Sequence, residues 1–591
     1  MRNRVGLALA CALCLAVAPG ISAYTKNKHA DPARQFQKQL AGDEKILQAL
    51  NRLTWGPRPG DVQEVKSMGL KKWIDGQLHP EDITENAVLA AKLKTLDTLN
   101  MSGAELVRNY PTPQMVRQMV NGQLPFPTDP DRRLMLTKLM ERFEERQAKG
   151  GDAAAAPNAV NGKALSDLLG PQQLREFRQG SPLQRLEALQ AIPKEKQDDV
   201  IGAMPQGLRQ GLFAIAPPEL RRRFEMANGP QQMVARDLSE GKLLRAVYSN
   251  RQLDEVLVDF WFNHFNVYLD KGADRYLVTE YERDVIRPHV LGKFKELLEA
   301  TAKSPAMLFY LDNWQSVGPD APQARGKQGA GGQKAGPRGH PGLNENYGRE
   351  LLELHTLGVD GGYTQADVTE AARCFTGWTI LQPQRGGEFA FNKRVHDEGE
   401  KTVLGVRIPA GGGMSDGEKV LDLVAHHPST ARFISQKLAM RFVADEPQAA
   451  LVDRMAETFR KTDGDLRAVM KTMLESKEFF SQGAYRGKLK SPLEVVASAV
   501  RAVSGEVDYA WALANQVAQL GQPLYRKQEP TGYANSSKEW LNSGGLLARM
   551  NFALQLADNK VPGVKVDAHQ AARPDDPVAG IALGSPEFQK R

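Results

Sequence analysis

The densest group of polar side chains in the sequence lies between Gly342 and Gly358 and reads GLNENYGRELLELHTLG. In a helix the leucines of this segment form one apolar stripe, while Glu350 and Glu353 lie three residues apart on a common edge. Two carboxylates on one helical edge suit divalent-metal coordination or acid–base catalysis. They could equally form an ion network with Arg349 that ties a buried helix to its neighbours. The sequence leaves both interpretations open.

Two further clusters contain histidine. His264 lies in the aromatic segment FWFNHF, where it is either a metal ligand or a core histidine with satisfied hydrogen bonds. His396 and Asp397 lie in a predicted turn; a histidine beside an aspartate suits a general base or a ligand, although Asp-Glu-Gly is also ordinary turn sequence. The candidate catalytic residues are therefore Glu350, Glu353, His396 and Asp397, and the candidate ligands of a divalent metal are His264, Glu350 and Glu353. Whether they converge depends on the tertiary fold.

The N-terminus is typical of an export signal. A short basic start precedes an apolar run over residues 5–18, and small residues lead to a predicted cleavage site after Ala23. The run is too short for a stable membrane span, although an uncleaved anchor is the alternative, and no later stretch has enough uninterrupted apolar residues. The signal peptide 1–23 would remove Cys11 and Cys14 and leave Cys374 as the single thiol. We expect an exported protein, periplasmic or secreted, with no transmembrane segment in the mature chain.

Composition excludes several classes of protein. The chain has 591 residues, 41% of them hydrophobic, which is ordinary for a globular protein and argues against wholesale disorder, collagen or a coiled coil. Its 77 Lys and Arg against 70 Asp and Glu give a net charge of +7. Over this length that is a weak bias, so we expect no nucleic-acid partner. Cys374 has no flanking histidine and is predicted to be a buried apolar residue rather than a nucleophile.

The pattern of elements predicts a mainly α-helical protein with one large core. Prolines at 182, 193, 205, 217 and 230 recur every 11 to 13 residues, and each suits the first turn of a short helix. Stacked short helices of this kind form repeat arrays with long partner-binding surfaces, although a solvated helical insertion is equally consistent. The predicted divisions are a loose segment 24–42, a helical part of the core 43–110, the Pro-spaced repeat insertion 111–235, the main core 236–560 with a Gly-rich basic loop 318–342 and a β-hairpin 388–405, and a loose tail 561–591.

Several blocks together resemble a known family. They include LNRLTWGPRPGDV, FWFNHFNV, SPAMLFYLDNWQS, ARCFTGW and, most specifically, NENYGRELLELHTLG. The chain resembles, over about residues 44–100 and 240–557, the bacterial family called domain of unknown function 1800. The resemblance implies a mostly helical, exported protein, often encoded beside a secreted alkaline-phosphatase/sulfatase-like protein that would be a candidate partner. It implies no catalytic residues, because no activity is established for the family.

Two functional hypotheses follow. The first is a hydrolase-like enzyme that uses the histidine and carboxylate residues, with or without a divalent metal, on an extracytoplasmic polymer. The second is a non-catalytic scaffold whose repeat insertion and basic loop bind a partner protein. The insertion favours the second hypothesis and the polar clusters of the core favour the first.

Overall fold

The computed structural model describes residues 32–148, 165–319, 321, 342–541, 543–566 and 579–591. The predicted signal peptide 1–23, the start of the segment 24–42, and almost all of the Gly-rich loop 318–342 lie outside these residues. About 60% of the structure is helical, which confirms the mainly α fold. None of the helices in the described ranges combines the length and the apolar character needed to cross a bilayer.

The N-terminal part of the chain contains eight helices before the first gap. They are α1 (Pro32–Gln35), α2 (Asp43–Leu53), α3 (Asp61–Met68), α4 (Leu70–Leu78), α5 (Ala87–Leu93), α6 (Gly103–Asn109), α7 (Pro113–Val120) and α8 (Pro130–Ala148). Residue 40, predicted to lie in a loose segment, is instead fixed: the Leu40 N–H donates to the carbonyl oxygen of Phe480 at 2.9 Å, and its side chain is buried.

The Pro-spaced insertion forms short helices, as predicted. They are α9 (Leu165–Leu168), α10 (Pro171–Gln179), α11 (Pro182–Gln190), α12 (Lys194–Ala203), α13 (Gln206–Ile215) and α14 (Pro218–Asn228). Proline occupies the first turn or the N-cap of α10 to α14, where a missing N–H leaves no hydrogen bond unmade. Because α11 packs on α13 and α12 on α14, these helices form a small bundle with its own apolar cluster, which includes Leu189, Ile201 and Phe224.

The main core follows. Its helices are α15 (Gln232–Tyr248), α16 (Gln252–His264), α17 (Asp274–Glu280), α18 (Phe294–Lys303), α19 (Pro305–Tyr310), α20 (Asn346–Glu350), α21 (Gln365–Cys374), α22 (Ser415–Ala425), α23 (Pro428–Phe442), α24 (Ala449–Lys461), α25 (Leu466–Leu474), α26 (Pro492–Ala502), α27 (Trp511–Gln519), α28 (Ser543–Ala557) and α29 (Ala579–Gly584). They surround one large apolar cluster that contains the fully buried Trp261 and Trp378. Cys374 is a buried free thiol in this core, as predicted.

Within the described ranges, six short strands form three two-stranded antiparallel sheets. The strands are β1 (Trp378–Leu381), β2 (Glu388–Phe391), β3 (Lys401–Val403), β4 (Val406–Ile408), β5 (Glu506–Val507) and β6 (Val564–Lys565). The predicted pairing within 388–405 is wrong: β2 pairs with β1, and β3 pairs with β4. The physical reason is the turn Leu404-Gly405, whose two residues have φ of 50° and 75°, the left-handed pair that closes a tight hairpin.

The predicted loose tail is ordered where it is described. The backbones of Leu489 and Lys490 pair with those of Lys590 and Gln589, and the Arg591 side chain is buried. Arg591 forms an ion pair with Glu494 of α26 at 3.0 Å. Residues 589–591 are therefore part of the core, because their backbone forms hydrogen bonds there and the Arg591 side chain forms an ion pair there.

Candidate functional site

The polar segment predicted to do chemistry forms an interrupted helix. The α-helical turns of α20 pass directly into a π-helical segment, Leu351–Thr356. In this segment the Leu357 N–H donates to the carbonyl oxygen of Leu352 at 2.9 Å, five residues back rather than four. Such wide turns are rare and occur frequently at functional sites. We call Asn346–Thr356 the site helix.

Glu350 and Glu353 lie half-buried at the junction of the two helical forms. The Tyr363 hydroxyl donates to the Glu353 carboxylate at 3.1 Å. Within the described ranges, no hydrogen bond or ion pair reaches the Glu350 carboxylate. Burial, and then the charge of Glu353, raise the pKa of Glu350 to about 6, against the opposing charge of Arg349. Glu350 can therefore exchange a proton close to neutral pH.

A tyrosine and an asparagine from neighbouring elements complete this environment. The Tyr310 hydroxyl, at the end of α19, donates to the carbonyl oxygen of Gln528 at 2.6 Å. The Asn266 amide donates to the carbonyl oxygens of Lys527 and Glu529, each at 3.0 Å. Burial raises the pKa of Tyr310, and the negative charge of Glu350 raises it further. The phenol therefore stays protonated and lies within electrostatic reach of the Glu350 carboxylate.

Residues 523–535, which we call the wall segment, are held from two sides by the same helix end. Asn266 fixes its first part, and Asn263 fixes its second part through a double hydrogen bond with the Tyr533 backbone, at 2.7 and 2.6 Å. The asparagines of the FNHFN sequence thus position a loop that is distant in the chain. Sequence analysis singled out this aromatic segment for its histidine and missed the structural role of its asparagines.

Asp274, at the start of α17, is a second carboxyl group near Tyr310 that sequence analysis did not identify. Its side chain is fully buried, and among the described residues neither of its oxygens has a hydrogen-bond partner. Burial raises the pKa of Asp274 well above its usual value; the charge of Lys271 opposes this rise and that of Asp312 adds to it. Burial therefore favours the neutral, protonated form of this carboxyl group. Nothing in its local sequence, GADRYL, distinguishes it from an ordinary helix start.

His264 is part of the aromatic core. Its Nε2 lies 3.1 Å from the backbone carbonyl oxygen of His355, and its ring packs against Phe260, Trp261 and Phe265. Burial, followed by the positive charge of Lys437, lowers the pKa of His264 well below its usual value. The ring is neutral and donates a hydrogen bond to the site helix. The ring packs as a core histidine does, although its Nδ1 is buried without a hydrogen-bond partner among the described residues. The Nε2 bond supports the segment that bears Glu353.

His396 and Asp397 lie in a different, completely buried network. The His396 Nδ1 lies 2.7 Å from the carbonyl oxygen of Thr376, and its Nε2 lies 3.4 Å from Asp416. Asp397 accepts two hydrogen bonds from Arg373, at 2.9 and 3.1 Å. Burial alone would raise the pKa of Asp397, but these bonds lower it. Both side chains are enclosed, so this network fixes the loop before β3 against α21 and α22.

The predicted catalytic residues thus belong to two groups that share no hydrogen bond or ion pair within the described residues. Glu350 and Glu353 face Tyr363 and Tyr310, whereas His396 and Asp397 are enclosed with Arg373 and Asp416. Across the residues that the structure describes, no three His, Cys, Asp or Glu side chains are arranged to hold a metal ion. His264, Glu350 and Glu353, the predicted ligands, form no such group there.

The sequence also contains a Gly-x-Ser-x-Gly segment, Gly413–Gly417, which is the pattern of many serine hydrolases. Here the Ser415 hydroxyl donates to the carbonyl oxygen of Gly412 at 2.9 Å. The nearby His396 bonds to Asp416 rather than to the serine. The serine hydroxyl is therefore bonded to the backbone just before α22, and it lacks the histidine that would activate it.

The comparisons with known proteins identify a family without an assigned activity. The family model described as "Protein of unknown function (DUF1800)" matches residues 48–589, nearly the whole chain and wider than the two blocks of the resemblance. The insertion lies inside this match. No curated protein and no solved structure matches the chain. On the strength of a match of this length, the chain belongs to the DUF1800 family.

Proposed function

We propose that the protein is a hydrolase-like enzyme in which Glu350 donates the proton that the leaving group requires. The observation that carries this proposal is a half-buried carboxyl group beside a second carboxylate, Glu353, on an interrupted helix. Burial and a like charge hold a carboxyl group partly protonated near neutral pH, which is the property of a general acid. Glu353 itself is engaged by Tyr363.

In the proposed step, water attacks the scissile centre while the protonated Glu350 transfers its proton to the departing oxygen or nitrogen. The attacking water loses one proton, which returns to Glu350 directly or through solvent as the product leaves, so the acid is restored. The Tyr310 hydroxyl lies within electrostatic reach of this carboxyl group and stays uncharged. The proposed substrate is an extracytoplasmic polymer, the class to which an exported hydrolase has access.

The test is a hydrolysis screen with three purified proteins: the wild type, Glu350→Gln and Glu400→Gln. Glu400 is an exposed glutamate that pairs with Arg407 and serves as the matched control. Polysaccharides, peptides and esters are incubated with each protein, and released ends are quantified with and without a chelator. General acid catalysis contributes about 10²- to 10⁴-fold, so we expect Glu350→Gln to lose that much while Glu400→Gln remains active. Equal hydrolysis by all three proteins would contradict the proposal.

The same samples address the divalent metal. Elemental analysis of wild type and Glu350→Gln should give a lower metal content in the variant if Glu350 is a ligand. Equal metal content, together with lost hydrolysis in Glu350→Gln, would assign Glu350 to proton transfer alone.

A second role, partner binding, is supported by the insertion. Its bundle has an apolar cluster separate from the main core. A groove of about 580 Å³ lies between this bundle and α8, lined by Leu134, Met135 and Leu220 among others. Leu134 is 45% exposed and contributes apolar surface to this groove. We propose that this groove contacts the co-encoded alkaline-phosphatase/sulfatase-like protein.

The partner proposal is tested with that protein in purified form. Leu134→Asp should abolish its capture in a pull-down, whereas Leu381→Asp, which changes a leucine on β1 that is 59% exposed, should leave capture unchanged. Equal capture by both variants would contradict the role of the groove.

Export by the signal peptide is tested by fractionating the producing cells and sequencing the N-terminus of the protein, which should begin at Tyr24 outside the cytoplasm.

A further inference from the structure

The inserted bundle contains a cleft that is separate from the groove beside α8, because the two share no lining residue. The cleft has a volume of about 550 Å³ and lies where α9, α10, α11 and the start of α13 meet. Ligand sites in proteins have volumes of about 300–1,000 Å³ and are mostly apolar, with a few polar groups that fix the orientation of the ligand. The lining of this cleft includes Leu165, Phe177, Arg178, Arg185, Gly207 and Leu208.

The uncharged part of the lining is largely apolar. Phe177 is buried in the apolar cluster of the bundle, and Leu165 and Leu208 are partly buried against that cluster. Ala203 and Pro205 line the cleft as well. The packing of the bundle already holds this apolar surface in place, so a ligand that contacts it has little side-chain ordering to offset.

The charged residues that line the cleft are both cations, Arg178 of α10 and Arg185 of α11. In the part of the chain that the structure describes, neither of them forms an ion pair. Glu176 and Glu187 lie on the same two helices, but neither carboxylate pairs with either arginine. An anion can therefore bind at this cleft without displacing a carboxylate of the described residues.

Arg185 is held in position and still has free donors. Its Nη2 donates to the backbone carbonyl oxygen of Arg178 at 3.1 Å, which ties α11 to the last turn of α10. Its Nε is buried, and no described residue accepts a hydrogen bond from it. The Arg178 guanidinium makes no hydrogen bond within the described ranges. Guanidinium groups bind carboxylate and phosphate through several coplanar N–H donors, so this pair of arginines suits an oxyanion.

We propose that this cleft binds a small amphipathic anion, whose carboxylate or phosphate group contacts Arg178 and Arg185 and whose apolar part lies against Leu165 and Leu208. The two arginines select for the negative charge, and the apolar lining selects for a ligand with a hydrocarbon part. The site depends neither on the proposed hydrolysis at Glu350 nor on the partner-binding groove. It gives the inserted bundle a ligand-binding role of its own.

The test measures binding to the purified protein by titration calorimetry at neutral pH and constant ionic strength. Octanoate and octyl phosphate are the probes, octanol is the comparison without a charge, and acetate is the comparison without an apolar part. We expect at least one anionic probe to bind saturably and about 10-fold or more tightly than octanol and acetate, because charge-assisted hydrogen bonds are the stronger kind. The tighter probe identifies the preferred anionic group. A smaller preference, or saturable binding by neither anionic probe, overturns the proposal.

Loss of one arginine should weaken binding. Arg185→Gln removes the guanidinium that is held between α10 and α11, so the affinity for the tighter probe should fall about 10-fold. Arg175→Gln is the matched control, because Arg175 is an exposed arginine of α10 outside the lining, and it should change the affinity less than twofold. Equal loss of affinity in both variants would show that overall charge rather than the cleft determines binding, and would overturn the proposal.

A substitution at Gly207 tests the cleft without removing a charge. A methyl group at this position would meet no atom of the described residues within 4 Å beyond its own helix, and tryptophan is a better helix former than glycine in α13. Gly207→Trp should therefore fold, fill part of the cleft and weaken binding at least 10-fold. Gly76→Trp, at a glycine of α4 with equally open surroundings, should bind as the wild type does. Unchanged or tighter binding by Gly207→Trp would overturn the proposal even if Arg185→Gln failed to fold.

Discussion

The Nε2 atom of His264 lies 3.1 Å from the backbone carbonyl oxygen of His355 and joins the aromatic helix α16 to the π-helical part of the site helix. In a π turn the backbone carbonyl groups are displaced from their regular α-helical partners. Here the buried imidazole N–H of His264 donates a hydrogen bond to one of these carbonyl oxygens. Both rings are buried and neutral. The bond therefore supports the turn that presents Glu350 and Glu353.

The two histidines should make the protein sensitive to mild acid. Burial, and then the charge of Lys437, lower the pKa of His355 to about 3, and the pKa of His264 is also well below its usual value. In the unfolded chain both rings gain a proton near pH 6.5, while the folded protein keeps them neutral. The stabilisation that depends on these two neutral histidines is therefore fully present above pH 6.5. Below that pH the free energy of unfolding decreases as the pH falls.

Each histidine should contribute about 1.4 kcal/mol of lost stability per pH unit between pH 6.5 and 5. The measurement is urea unfolding at several pH values. His355→Gln should reduce the pH slope by about half over this interval, whereas His426→Gln, which changes an exposed histidine, should not reduce it. A slope that is identical in wild type and His355→Gln would contradict this assignment.

The activity of the proposed enzyme should decrease as the pH rises through about 6, because Glu350 must carry a proton to donate it. Glu353 contributes to the raised pKa of Glu350 through its charge. Glu353→Gln removes that charge, so the alkaline limb of the pH–activity profile should move to lower pH. The measurement is kcat against pH for both proteins. A profile that moves to higher pH would rule out Glu350 as the proton donor.

The buried network around His396 should be essential for stability. The Lys401 ammonium lies 2.7 Å from Asp416, and both side chains are fully buried. Asp416→Asn leaves the lysine charge without its partner, and breaking a buried ion pair from one side costs about 3–5 kcal/mol. Chemical denaturation measures this loss. Glu457→Gln, which removes an exposed partner of Lys461, should give no measurable change.

The inserted bundle should unfold separately from the main core. Leu189 is completely buried in its apolar cluster, so Leu189→Ala should destabilise the bundle by about 2–5 kcal/mol. Hydrogen exchange should then accelerate in α10–α14 and stay unchanged in α16 and α23. Leu183→Ala, at a leucine that is 60% exposed, is the control and should alter neither region. Uniform acceleration throughout the chain would show that the bundle and core unfold together.

Local sequence patterns predicted the helices well, because their signals are local. Prolines 182, 193, 205 and 217 mark the starts of α11 to α14, because proline fits the first turn or the N-cap of a helix. The strand pairs were predicted wrongly, since Leu404 in a left-handed turn has no strong local signal. Glu350 and Glu353 were identified from their spacing. The buried groups Tyr310 and Asp274 belong to other elements, and their positions depend on contacts between distant segments, which no spacing rule reveals.

The wall segment is held at two points: Asn266 and Tyr310 bond to its first part, and Asn263 bonds to the Tyr533 backbone. The three side chains come from α16, from the residues that follow it and from α19, so neighbouring parts of the core fix one short loop. A ligand that changed the position of either end of this loop would therefore change the free energy of arranging the other end, and by thermodynamic linkage that effect would be reciprocal.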